Sequence, residues 1–140
     1  DGSLVVWGQQ QRGGNASAVL DQLASGVQMV AYTAQAFAAV KSDGSVVAWG
    51  EAAGGGDISS VQAQLNGISS TISTVYGNWF AFAAVDTSGG VVAWGDAANG
   101  GAIPSALEYT LSANVTSIYS THRAFAALKD DGELVLWGNA

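Results

Sequence analysis

Ala81-Phe-Ala-Ala-Val-Asp-Thr-Ser-Gly-Gly-Val-Val-Ala-Trp-Gly95 has two close copies in the chain, at residues 36–50 and 124–138, and its second half reappears as the opening Asp1-Gly-Ser-Leu-Val-Val-Trp-Gly8. Trp7, Trp49, Trp94 and Trp137 are thereby separated by 42, 45 and 43 residues. A period in that range marks a solenoid, a propeller or a linear array, because each unit buries its apolar faces against its neighbours. The repeat divides the chain into a partial unit at 1–8, full units at 9–50, 51–95 and 96–138, and residues 139–140 as the start of a further unit or a tail.

Register within the units is strict around the hairpin. Phe37, Phe82 and Phe125 each lie twelve residues before a Trp, and Gly2, Gly44, Gly89 and Gly132 each lie five before one. Gly pairs at 13/14, 55/56 and 100/101 fall six and seven residues after a Trp, so the length variation is expected between the pair and the next Phe. Ala-Phe-Ala-Ala and Val-Val-Ala-Trp are short apolar runs of strand formers. The Asp-Gly of Lys41-Ser-Asp-Gly-Ser45 and Lys129-Asp-Asp-Gly-Glu133 between them is a hairpin turn signal. The middle copy keeps the Gly as Ser88-Gly89-Gly90. Both faces of these strands are apolar, which suits layers stacked on both sides. Trp7, Phe37, Trp49, Phe82, Trp94, Phe125 and Trp137 are the expected structural core.

A third strand precedes each hairpin, at Val27–Tyr32, Thr71–Tyr76 and Val115–Tyr119. A short helix is expected between Gly pair and strand. Val61, Leu65 and Ile68 make its stripe in the second unit, with Asp57, Ser59 or Ser60 as N-cap; Leu20 with Leu23 and Leu107 with Leu111 serve the others, and Pro104 suits a first turn. The fold expected is thus mainly β, a repeat protein with one short helix per unit, built as an open solenoid-like array or a propeller fragment of three-stranded units. Trp79-Phe80 reads as an insertion peculiar to the second unit and as a candidate interaction loop.

Composition narrows the function. Charged residues are 11% of the chain, against roughly a quarter in soluble domains, and the apolar share is 49%. Such a shortage of charge points to a surface much of which is covered by something else. Eleven carboxylates against four Lys and Arg give a net charge of −7. With Arg12, Lys41, Arg123 and Lys129 dispersed, nucleic acid and anionic lipid are not expected partners. No apolar run approaches the ~20 residues of a membrane-spanning helix. Cysteine is absent, which removes disulfides and thiolate chemistry.

Catalytic and metal signatures are wanting. The single histidine, His122, has no nucleophile or acid placed by the repeat to work with and reads as a surface residue beside a turn. Asp130-Asp131 sits where a hairpin turn favours Asp. Residues after the Gly pairs are Asn15, Asp57 and Ala102, so no ligand position recurs for calcium, and no metal or cofactor is expected. Asn15-Ala-Ser17 and Asn114-Val-Thr116 are glycosylation sequons, which lean towards an extracellular or cell-surface setting.

The string Ala-Phe-Ala-Ala-Val-Lys-Ser-Asp-Gly-Ser-Val-Val-Ala-Trp-Gly resembles the repeat of the regulator of chromosome condensation family and of propeller-type β-lactamase inhibitor proteins. In those, such a hairpin builds one blade of a typically seven-bladed β-propeller. It is also similar to long tandem arrays in large uncharacterised proteins of marine protists and bacteria. The resemblance implies blade-like units. Ala36, Ala81 and Ala124 stand where the chromatin family often has His, the Gly pair replaces its Gly-Gln-Leu-Gly, and basic loops are missing, so its nucleotide-exchange and chromatin roles are not implied. A closed ring usually completes its last blade with strands from both termini. Residues 1–8 instead duplicate the strand at 133–138, which favours an open array.

From these readings the expected function is a non-enzymatic structural segment that stacks or polymerises, with itself or in a longer tandem array, into an extracellular filament, sheath or surface array. The alternative is a soluble propeller-like module that binds a protein or glycan through variable loops such as Trp79-Phe80.

Overall fold

The computed structural model describes residues 1–67 and 71–139. Nine strands form three antiparallel three-stranded sheets of sequential order: β1 (Val27–Tyr32), β2 (Ala36–Lys41) and β3 (Val46–Gly50); β4 (Ile72–Gly77), β5 (Ala81–Asp86) and β6 (Val91–Gly95); β7 (Val115–Ser120), β8 (Ala124–Lys129) and β9 (Leu134–Gly138). Register is the same in all three, with Phe37 opposite Trp49, Phe82 opposite Trp94 and Phe125 opposite Trp137. Each inner strand carries a bulge at the matching place, after Val27, Ile72 and Val115. The inner strand β1 packs beside β4, and β4 beside β7, so the sheets fan out like blades from a shared inner side.

Alternation of side chains decides what lies between the blades. Ala36, Ala38, Val40 and Val46 leave the first sheet on one face and meet Val75, Phe82, Ala84 and Trp94 of the second. Ala81, Ala83 and Val85 leave the opposite face of the second sheet and meet Ile118, Phe125, Ala127, Val135 and Trp137 of the third. Small Ala on one side faces large rings on the other, which lets layers approach at close-packed density. Residues 1–8 form no strand ladder, yet Leu4 and Val6 pack on the first sheet with Phe37, Val47 and Trp49, in the place that a preceding β3 would hold.

Two classes of glycine make the layers possible. The first of each pair, Gly13, Gly55 and Gly100, is a left-handed cap with φ of 91°, 96° and 99° that ends a 3₁₀ turn. Its carbonyl accepts the indole N–H of Trp49, Trp94 or Trp137 at 3.0 Å. A Cβ there would reach within 2.5, 2.6 and 2.7 Å of the Phe37, Phe82 and Phe125 rings. The second of each pair would drive a Cβ into the backbone of Gly8, Gly50 or Gly95. In the hairpin turns, Gly44 and Gly89 adopt φ of 79° and 81° and lie against the next unit's first strand residues, accepting Ile72 N–H and Val115 N–H at their carbonyls.

The helices are smaller than the sequence suggests. α1 (Leu20–Leu23) and α2 (Gln62–Asn66) are single turns, and the third unit has only a 3₁₀ turn, Ser105–Leu107, preceded by extended Pro104. What they deliver is one buried leucine each, Leu23, Leu65 and, just beyond the third turn, Leu111. Asp57, Ser59 and Ser60 do not cap α2, whose N-cap is Val61 without a side-chain bond; the Asp57 carboxylate instead accepts Ser59 N–H at 2.8 Å. Ile68, expected in the same stripe, lies outside the described residues, as does residue 140. The Gly-rich loops are themselves structured as 3₁₀ turns, Gln10–Arg12, Ala52–Gly54 and Ala97–Asn99.

Trp7 departs from the expected core. It is 82% exposed, against 5%, 2% and 4% for Trp49, Trp94 and Trp137. Those three stack on Phe37, Phe82 and Phe125 with centroids 5.5, 5.2 and 5.3 Å apart, and among the described residues no Phe-bearing strand lies beside Trp7.

Candidate functional site

Three short turns join each inner strand to its neighbour: Thr33-Ala34-Gln35, Asn78-Trp79-Phe80 and Thr121-His122-Arg123. All have three residues, so Trp79-Phe80 is not an insertion; it occupies the positions of Ala34-Gln35 and His122-Arg123. The extra length of the second unit lies between its Gly pair and β4. Backbone bonds knit the turns into a stair: Ala34 N–H donates to Trp79 O at 3.1 Å and Trp79 N–H to His122 O at 3.3 Å. Ser120 Oγ donates to Gly77 O at 3.0 Å, one strand residue below.

Polar side chains at the first position brace the stair. Thr33 Oγ1 accepts Gln35 N–H and Ala36 N–H and donates to Gly54 O at 3.0 Å. Asn78 does the same work, its Oδ1 accepting Phe80 N–H and Ala81 N–H at 2.8 Å while Nδ2 donates to Asn99 O at 2.7 Å. Both are buried, and both tie an inner turn to the 3₁₀ loop that follows the Trp of the same unit. Sequence reasoning passed over them, although Thr33, Asn78 and Thr121 each stand four residues before a Phe.

Fold geometry brings Trp79 and His122, separate in the sequence reading, into contact. Their rings lie 3.8 Å apart at 45°, and the Arg123 guanidinium sits over the Phe80 ring at 5.7 Å. Trp79 is 54% exposed, Phe80 half-buried and His122 exposed. Below them the inner strands enclose an open depression of ≈ 800 Å³ lined by Val30, Tyr32, Val75, Tyr76, Trp79 and His122 among others. No Asp, Glu, Lys or Arg lines it, so it suits an uncharged ligand face.

Other sequence candidates fall elsewhere. Asp131 is a turn residue, its Oδ1 accepting Glu133 N–H at 2.9 Å. Asn15 and Asn114 are both exposed at opposite ends of the chain's blades, Asn114 with φ of 67°. Among the described residues, no group of His, Asp and Glu is arranged to hold a metal ion, and no helix is long and apolar enough to cross a membrane.

The third sheet's outer face is the other exposed feature. Leu134 is 51% exposed, Leu136 63% and Tyr119 59%, whereas the matching Val46 and Ala31 are 2% and 7% exposed because the second blade covers them. Gly132 has a left-handed φ of 87°, close to those of its counterparts, but nothing lies within 4 Å of where a Cβ would be.

The chain is structurally similar to RCC1-repeat propeller proteins over 80% of its length. Against yeast RCC1 (Prp20), solved bound to Kap60, the TM-score is 0.60 at 22% identity, covering 29% of that chain. Human WBSCR16 gives 0.56 at 24% identity, covering 80% of this chain and 34% of that one. The ectodomain of the Physcomitrella patens receptor kinase CR4 gives 0.52 at 14% identity, covering 80% of this chain and 29% of the other. This chain thus spans about a third of each of these structures. No family model and no curated protein matches it in sequence. The likeness is one of fold: three antiparallel sheets built as partial propeller blades.

Proposed function

We propose that this chain is a non-enzymatic structural segment, a three-blade arc that extends by stacking further units of its own kind into an extracellular filament, sheath or surface array. The exposed outer face of β7–β9 carries this reading, because the same face is covered in both earlier blades by the next unit. Ala38 and Ala83 are fully buried there, and Ala126 in the same position is not. Repeat ends of this sort expose apolar surface that stacking removes. Low charge and the exposed sequon residues Asn15 and Asn114 support the extracellular setting.

Sedimentation of the chain beside Ala126→Lys tests the reading. The lysine points outward from β8, so folding is spared, and the expected result is concentration-dependent association in the parent and a monomer in the variant. Association unchanged by the substitution would overturn the proposal.

A second reading is favoured by the depression beneath Trp79. A neutral glycan or apolar protein segment could lie on the Trp79 and Tyr32 rings. Trp79→Ala should then weaken capture of such a ligand on a glycan or peptide array with no loss of fold or change in association. Equal binding by the variant removes this site.

A further inference from the structure

β6 is the outer edge of the middle sheet. Asp86 N–H donates to Gly90 O and Asp96 N–H to Phe80 O across the β5–β6 hairpin. Antiparallel alternation therefore turns the backbone groups of Val92 and Trp94 towards β5 and leaves those of Val91 and Ala93 pointing away from the sheet. Val91 N–H donates to Leu111 O at 2.9 Å, while Val91 O and both groups of Ala93 have no hydrogen-bond partner among the described residues. The first blade satisfies the position that matches Val91. There Asn66 Oδ1 accepts Val46 N–H at 2.7 Å and Asn66 Nδ2 donates to Val46 O at 3.0 Å, as a residue of a neighbouring strand would.

An open trough of ≈ 570 Å³ runs over the β6 edge. Gln64 of α2 flanks it on the face where Leu65 packs between the first and second blades, and Ile103 and Glu108 flank it on the face where Ile103 packs between the second and third. Its charged lining is Asp86 and Glu108, with no Lys, Arg or His.

Comparison of the repeats shows which charge fits the trough. Asp86 ends β5, where the first and third blades have Lys41 and Lys129. Lys41 Nζ donates to Gln22 O of α1, whose Gln22 and Leu23 correspond to Gln64 and Leu65 of α2. The first blade thus keeps an ammonium group between its strand end and its helical turn. In the middle blade a carboxylate stands there instead. Its Oδ1 accepts Ser88 N–H at 2.8 Å and Gly90 N–H at 2.9 Å, and its Oδ2 takes no hydrogen bond among the described residues.

We propose that the β6 edge receives an extended, lysine- or arginine-bearing peptide segment of another protein, which adds to the middle blade as a fourth strand. Its backbone pairs with Val91 O and with both groups of Ala93, and its cationic side chains lie against Asp86 and Glu108. The net charge of −7 steers such a segment towards the chain. This edge belongs to the middle blade and is separate from the outer face of the third blade and from the depression beneath Trp79, so the inference is independent of both readings above.

Fluorescence anisotropy of a labelled peptide of about eight residues, alternating Lys and Thr, tests it on the full chain, with a Glu-Thr peptide of the same length as control. Three variants change the net charge equally. Asp86→Lys with Ser88→Asp rebuilds in the middle blade the Lys-x-Asp-Gly turn of the first, Glu108→Gln alters the trough, and Glu51→Gln alters an exposed carboxylate outside it. Binding of the Lys-Thr peptide should weaken at least about tenfold in the first variant, about threefold in Glu108→Gln and not measurably in Glu51→Gln. Equal losses in all three would reduce the binding to general attraction by an acidic chain and overturn the site. Ala93→Pro removes an outward N–H that β5 does not use, and should abolish binding while near-ultraviolet circular dichroism stays that of the parent. Spermine, which carries cations and no peptide backbone, decides the same point without a substitution: it should displace the peptide only at a far higher concentration of charge. Displacement at equal charge, or undiminished binding by a folded Ala93→Pro, overturns strand addition. A parent chain that does not bind the Lys-Thr peptide overturns the proposal outright.

Discussion

Trp94 shows how much a single residue contributes here. It is buried, stacks on Phe82 and donates its indole N–H to Gly55 O. Trp94→Ala is expected to cost about 3–5 kcal/mol in urea unfolding, while Trp7→Ala changes the monomer by about 0.5 kcal/mol or less. Equal losses would mean that Trp7 is buried in solution. The hairpin glycines make a matched pair in the same sense. Gly132→Ala meets only the strain of a left-handed φ, roughly 1–2 kcal/mol. Gly89→Ala adds a Cβ at 2.6 Å from the Asn114 and Val115 nitrogens, so its loss of stability should be clearly greater. Most of this was legible from spacing, since Trp, Phe and the Gly pair recur where the layers meet. Trp7 carries the same pattern, and its exposure follows from there being no Phe-bearing strand beside it among the described residues.

At the level of elements, the hairpin turns were readable and the helices less so. Asp43 Oδ1 accepts Ser45 Oγ–H at 2.6 Å and Ser45 N–H at 2.9 Å, and these bonds hold its carboxyl below the usual carboxylate range. In the middle hairpin, where the turn Asp is lost, Asp86 at the end of β5 takes over, accepting Ser88 N–H, Ser88 Oγ–H and Gly90 N–H. A depressed folded pKa gives Asp43 a contribution to stability that is present above its unfolded value near 3.8 and lost as pH falls through the folded value. Unfolding midpoints measured from neutral pH to below pH 3.8 should therefore fall less for Asp43→Asn than for the parent; parallel curves would contradict the role. The helical stripes overstated the helices because each needs to bury only one leucine, and a single turn achieves that. The inner turns were not legible at all as a cluster, since the contact of Trp79 with His122 exists only once two blades are laid side by side.

The described residues form an arc of blades whose interior contacts occur twice, and the outer face of the third blade is exposed where the first two are covered. Repetition explains why the blade architecture could be inferred from one stretch of sequence. The direction in which the arc continues depends on small angles between layers, which no residue type encodes. Negative-stain electron microscopy of the chain at increasing concentration, with mass per particle measured in parallel, tests the central claim that units add through the outer face of the third blade. Rings or filaments with a regular repeat and masses in multiples of 14.1 kDa are the expected result. Isolated particles of a single chain's mass at every concentration would contradict it.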